Sequence, residues 1–246
     1  MGRRDQTTLG GGQGAFTTTD WTQLPEQSLD EFVQRYWKPV YCYLRTKGCD
    51  NERAKDLTQS FFQDVVMGRQ LVQHADRSKG RFRTFLLTAL NRYLISAIRS
   101  ETAKKRMPRG GLVSVDEIEA DHFVLPASVD SPEQAYHYAW ASQLLDTVVR
   151  EVAEGCRKDG KGSYWEAFRL RVLQPMMEGG PEPPLEEVCS AIGASSRADV
   201  SNMIVTVKRR FRAALKRHVR QFVDSEGDVD HEIAELIEIF SASHAN

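Results

Sequence analysis

The sequence lacks several features that would assign it quickly. No apolar run approaches the roughly 20 residues that a membrane-spanning helix requires, and no membrane role is expected. Residues 1–14 are rich in glycine and threonine and have no apolar stretch of the kind a secretory leader carries. A cytoplasmic location is therefore expected. The four cysteines (Cys42, Cys49, Cys156 and Cys189) form no C-x-x-C pair, and no histidine pair at helical spacing accompanies them. Structural zinc needs clustered thiolates or imidazoles, so no metal site is expected and the cysteines read as free thiols of a reducing compartment. Glycine-rich phosphate loops, nucleophile elbows and metal-ligand clusters are missing too. The reading has no catalytic residue, no cofactor and no enzyme activity. Period-2 alternation bounded by hairpin turns is absent as well, which argues against strands.

What is present is charge, sorted by position. The net charge is only −1. Yet Asp76 to Arg109 holds ten basic residues against two acids, and Arg197 to Arg220 holds eight against Asp199 alone. Between them, Leu112 to Gly155 has nine acids against Arg150, and Gln221 to Asn246 has seven acids with no lysine or arginine. Two basic segments separated by an acidic one suggest two contacts with a polyanion.

The periodicity is helical almost throughout, so the expected class is all-α. Residues 1–20 are expected to lack fixed structure. A helix is expected from Ser28 as N-cap, with Glu31 at the capping-box position. Pro39 should open a second helical piece, which Gly48 ends. A helix from about Asn51 to Gly68 places Ala54, Leu57, Phe61 and Val65 on one side. A long helix follows over about 81–105. Its expected buried stripe is Phe82, Phe85, Leu86, Ala89, Leu90, Tyr93, Leu94, Ala97 and Ile98, which leaves Arg83, Asn91, Arg92 and Arg99 outside. Residues 107–130 read as a linker. Ser131 and Pro132 start the next helix, which is expected to reach about Glu154. Helical character resumes over Tyr164 to Met177. Trp140 and Trp165 are expected in the core.

Pro184 to Ile192, the turn Gly193-Ala194-Ser195-Ser196 and a helix from Arg197 to about Val223 have helix-turn-helix spacing. Val200, Ile204, Val207, Phe211 and Leu215 would face inward. The second helix carries Lys208, Arg209, Arg210, Arg212, Lys216 and Arg217, which makes it a candidate recognition helix.

These residues resemble a known family. The run Ala54-Lys55-Asp56-Leu57-Thr58-Gln59-Ser60-Phe61-Phe62 is similar to the polymerase-binding motif in region 2 of extracytoplasmic-function sigma factors. Arg77 to Leu87 is similar to that family's loop and the start of its promoter-melting helix, and Tyr36-Trp37-Lys38-Pro39-Val40 to its first-helix entry. Leu185 to Leu215 resembles the helix-turn-helix of region 4. The chain departs from the pattern at Ser60, where an acid is usual, and at Ile95-Ser96, where an aspartate is common.

The resemblance implies two small helical domains joined by a linker: a region 2 bundle over 21–106 and a region 4 helix-turn-helix over 131–223. An acidic tail follows over 224–246. It also implies a factor that directs core RNA polymerase to promoters and assists their melting. Asp56, Gln59 and Asp64 would meet the polymerase. Arg77, Lys79, Arg81, Arg83, Asn91, Arg92 and Arg99 would hold the −10 promoter DNA. Ser196, Arg197, Asp199, Ser201 and Asn202 would reach bases of the −35 element, while Lys208, Arg209, Arg210 and Arg212 would reach phosphate. Core polymerase and promoter DNA are the implied partners, with an anti-sigma protein or other regulator left open. The rival reading is a stand-alone helix-turn-helix regulator that binds DNA without polymerase. In the tail, Ile233, Leu236, Ile237 and Phe240 form a helical apolar stripe. It would fold back to screen region 4, complete its core, or dock a regulator.

Overall fold

A computed structural model describes residues 26–68, 82–103, 125–178, 180–220, 223 and 226–244. Every regular element among the described residues is helical. The expectations for residues 1–20, most of the linker, and Arg77, Lys79 and Arg81 lie outside the described residues.

Helix α1 runs without a break from Glu26 to Thr46, with Pro39 inside it. Ser28 is thus a helical residue rather than the N-cap, and Pro39 does not divide the helix. A proline removes one backbone donor and crowds the preceding turn. Here the residues around it (Tyr36, Trp37, Val40 and Tyr41) are all buried, so side-chain packing holds the axis across the defect. The chain leaves α1 as expected at Gly48, whose φ of 92° is left-handed.

Helix α2 (Asn51–Phe61) is capped by Asp50, which accepts a hydrogen bond from the Arg53 amide at 2.8 Å. It continues into a π-helical turn over Phe62–Met67. Ala54, Leu57, Phe61 and Val65 are buried as expected, and Phe62 and Val66 are buried beside them. The wider turn broadens the apolar face. Helix α3 (Phe82–Ala103) packs aromatic side chains on both α1 and α2. The Phe82 ring lies 5.4 Å from Phe32 and 5.7 Å from Tyr36, and Tyr93 lies 5.5 Å from Phe61. Phe82, Leu86, Leu90 and Leu94 form its buried line, whereas Ile98 is exposed, contrary to expectation.

Helix α4 (Pro132–Lys158) begins with a reciprocal capping box between Ser131 and Gln134. Its most extensive contact is with α1, although the sequence assigns the two to different modules. The pairs Lys47–Glu133 at 3.6 Å and Gln143–Gln34 at 2.5 Å show that the two helices run antiparallel. Between these pairs, Trp140 hydrogen-bonds the buried Tyr36. Burial raises the Tyr36 hydroxyl to about 12, so it stays protonated. Ala135, Ala139 and Ala141 are fully buried, and such small side chains let helices approach closely.

Helix α5 (Gly162–Phe168), a second π turn (Arg169–Leu173) and helix α6 (Gln174–Glu178) precede the pair α7 (Leu185–Ile192) and α8 (Arg197–Arg220). Helix α9 (Glu226–His244) packs against α8 and α4. The buried residues of all these helices form one cluster rather than two cores. Leu125 and Val129, at the end of the expected linker, pack against that cluster as well.

Candidate functional site

The α7–α8 pair is built as expected. Gly193, with φ 66°, closes α7, and the Ala194 amide bonds back to the Cys189 carbonyl at 3.0 Å. The Ser196 hydroxyl accepts from the Asp199 amide at 3.1 Å and donates to the Asp199 carboxylate at 2.8 Å. These two expected base-reading residues therefore cap α8, though both stay exposed. Val188, Val200, Ile204 and Val207 anchor the pair in the core.

That anchoring sets the outward face. Ser201, Asn202, Val205, Lys208, Arg209 and Arg212 are all exposed. Asn202, Val205, Arg209 and Arg212 follow one another at helical spacing, forming a cationic and polar stripe that can meet an anionic backbone. Arg197, Arg210, Lys216 and Arg217 of α8 are paired inward or sideways. Arg210 donates to Asp159 at 2.7 Å and lies 4.0 Å from the Cys156 sulfur. Its hydrogen bond to Asp159 raises its pKa above the ordinary value. Arg210 thus ties α8 to the end of α4, which corrects its expected place among the DNA-facing residues: it shares the inner side with Val207 and Ala214. Arg197 pairs with Glu186 of α7 at 2.7 Å, Lys216 with Asp230 of α9 at 2.9 Å, and Arg217 and His218 with Glu151 of α4.

On α3, Thr84, Thr88, Asn91, Arg92, Ile95 and Arg99 make a second exposed stripe. Asn91, Arg92 and Arg99 lie where the sequence put them. Arg83 does not. It is 5% exposed, its guanidinium is ion-paired with Glu232 and Glu235 of α9, and it sits 4.4 Å above the Trp140 ring. Its backbone carbonyl accepts from the Tyr136 hydroxyl at 3.2 Å. The expectation of a DNA-facing Arg83 is corrected by its helical phase, since it shares a stripe with Leu86, Leu87 and Leu90.

On α2, Asp56 and Asp64 are exposed and Gln59 is half-buried. Asp64 falls in the π turn. These three and the two basic stripes lie on three different helices. The partner acids Glu151, Asp159, Glu232 and Glu235 were not anticipated as such. Glu232 left one signal in the sequence: it interrupts the apolar spacing Val229, Ile233, Leu236.

Among the described residues, no group of three or more His, Cys, Asp or Glu side chains is arranged to hold a metal ion, and no helix is long and apolar enough to cross a membrane. No family model, curated protein or solved structure matches the chain.

Proposed function

We propose that the chain is a transcription initiation factor of the sigma type, with α8 for the upstream promoter element, α3 for the melted one and α2 for core RNA polymerase. Its two modules are the helices on either side of the expected linker over 107–130, docked through α1 and α4. The observation that carries this reading is the outward stripe of α8. A helix-turn-helix whose second helix shows Asn202 and Ser201 near its start, and Lys208, Arg209 and Arg212 further on, has base-reading groups and phosphate-binding groups in the order a major groove requires. The α3 stripe adds Asn91 for a base edge, and Arg92 and Arg99 for phosphate. The role of Asp56, Gln59 and Asp64 rests on the family resemblance, and charge exposed beside an apolar stripe suits docking to a basic surface.

Transcription from genomic fragments with purified core polymerase tests the proposal. Adding the protein should produce transcripts from a small set of start sites, and Asp56→Lys should remove both the transcripts and co-purification with core. Sequence-specific duplex binding with no effect on transcription start would favour a stand-alone regulator instead.

A further inference from the structure

We infer that α9 is an autoinhibitory clamp that withholds Arg83 and Lys216 from nucleic acid until a competing polyanion displaces it. The inference rests on the reading of α3 and α8 as nucleic-acid faces. It starts from an inconsistency within α9. The helix docks through Val229, Leu236 and, less completely, Ile233 and Phe240, whose ring meets Tyr138 edge-on at 5.7 Å. In the middle of that apolar stripe stands Glu232, only 2% exposed. A helix that merely completed a core would carry an apolar residue there, because a buried carboxylate is tolerated only against a matching cation.

The cation is Arg83, on a helix far away in sequence, and Glu235 one turn along α9 joins the same guanidinium. Two residues before Glu232, and so on another side of α9, Asp230 holds Lys216 of α8 at 2.9 Å. A single acidic helix thus takes one cation from each of the two basic helices. Carboxylates bind guanidinium with the same charge and forked geometry as phosphate oxygens, so α9 offers Arg83 an internal substitute for a nucleic-acid backbone. The arrangement is reciprocal: Arg83 lies between the Trp140 ring of α4 and the carboxylates of α9, which close over its guanidinium, and Glu232 is buried against that same cation. Apolar isosteres often hold such a site as firmly as an ion pair. What an ion pair adds is sensitivity to a competing anion.

The test uses the full chain without polymerase. A labelled duplex and a labelled single strand of mixed sequence are titrated across about 50 to 200 mM salt. Replacing both acids, Glu232→Gln with Glu235→Gln, should tighten binding about tenfold at low salt and steepen the salt slope by about one, since each added phosphate contact contributes about that much. Adding Arg83→Ala to this variant should remove both gains. If the paired replacement disturbs folding, Glu235→Gln alone decides. That side chain is 31% exposed and can be neutralised without a burial cost, so a smaller change in the same direction is expected. Equal affinity and slope in the parent and in folded variants would overturn the clamp while leaving nucleic-acid binding in place. Absence of binding in every form would overturn the nucleic-acid reading itself, and the clamp with it.

Discussion

Helices α3 and α8 carry the two basic segments of the chain, yet they use their arginines in opposite ways. On α8 the paired cations lie at the flanks and inner edge, where they tie the helix to α4, α7 and α9, while Lys208, Arg209 and Arg212 point away. On α3 the first arginine is driven into the core and sealed by α9, and the exposed cations, Arg92 and Arg99, come later along the helix. Net charge is the same kind of quantity in both segments. Helical phase relative to the apolar stripe decides which charges are structural and which are available.

The sharpest way to break this comparison is to remove Arg83. Arg83→Ala strands Glu232 in an apolar environment, and losing one partner of a buried pair costs about 3–5 kcal/mol. The thermal midpoint should fall accordingly. Changing both residues, Arg83→Met with Glu232→Leu, should recover most of that loss, because no lone charge remains. A small single-variant effect would mean that Arg83 is solvated and that α3 resembles α8 after all.

On α8 the same kind of change should leave stability nearly untouched. Arg209→Ala with Arg212→Ala removes two exposed cations, and surface changes of this kind usually stay within about 0.5 kcal/mol of neutral. DNA affinity should fall on all sequences alike, with the salt slope shallower by about two. Asn202→Ala should act differently, costing about 1–3 kcal/mol at one base position and little elsewhere. A uniform loss for Asn202→Ala would reduce it to a phosphate contact.

How far this could be read from the sequence differs between the same two helices. The α7–α8 pair was legible almost completely, because its signals are local: Gly193 at the turn, and Val200, Ile204 and Val207 in one line. On α3 the buried leucines are legible, but the charge of Arg83 argues for the outside while its spacing to Leu86 and Leu90 places it inside. Its partners lie on α9, where Glu232 interrupts an apolar stripe, but nothing local to either helix says that the two pair. The docking of α4 on α1 was hidden for a related reason. The linker over 107–130 reads as a separator between two helical modules, whereas Ala135, Ala139 and Trp140 supply a second apolar face that periodicity shows without naming its partner. At Pro39 the helix break expected from backbone chemistry is overridden, because the surrounding side chains are buried on both sides of it.

The smallest expected effect concerns the tie between α4 and α8 at Glu151. Burial works against the charge of this carboxylate, but hydrogen bonds from His218 and Arg217, and their charges, outweigh it and hold the pKa below the ordinary glutamate value of 4.5. A carboxylate whose pKa is lowered by folding stabilises the fold above its unfolded value and loses that contribution as pH falls through the lowered one. The side chain is 43% exposed, so water and salt screen the interaction, and a surface pair of this kind is worth about 0–1 kcal/mol. Glu151→Gln should therefore lower the thermal midpoint slightly at neutral pH. The difference from the parent should shrink as the pH drops below the usual glutamate range, and high salt should shrink it at any pH. A difference that stays constant across acid pH would mean that the charge of the Glu151 carboxylate is not what holds α8 on α4, and that Arg210 and Asp159 make that tie instead.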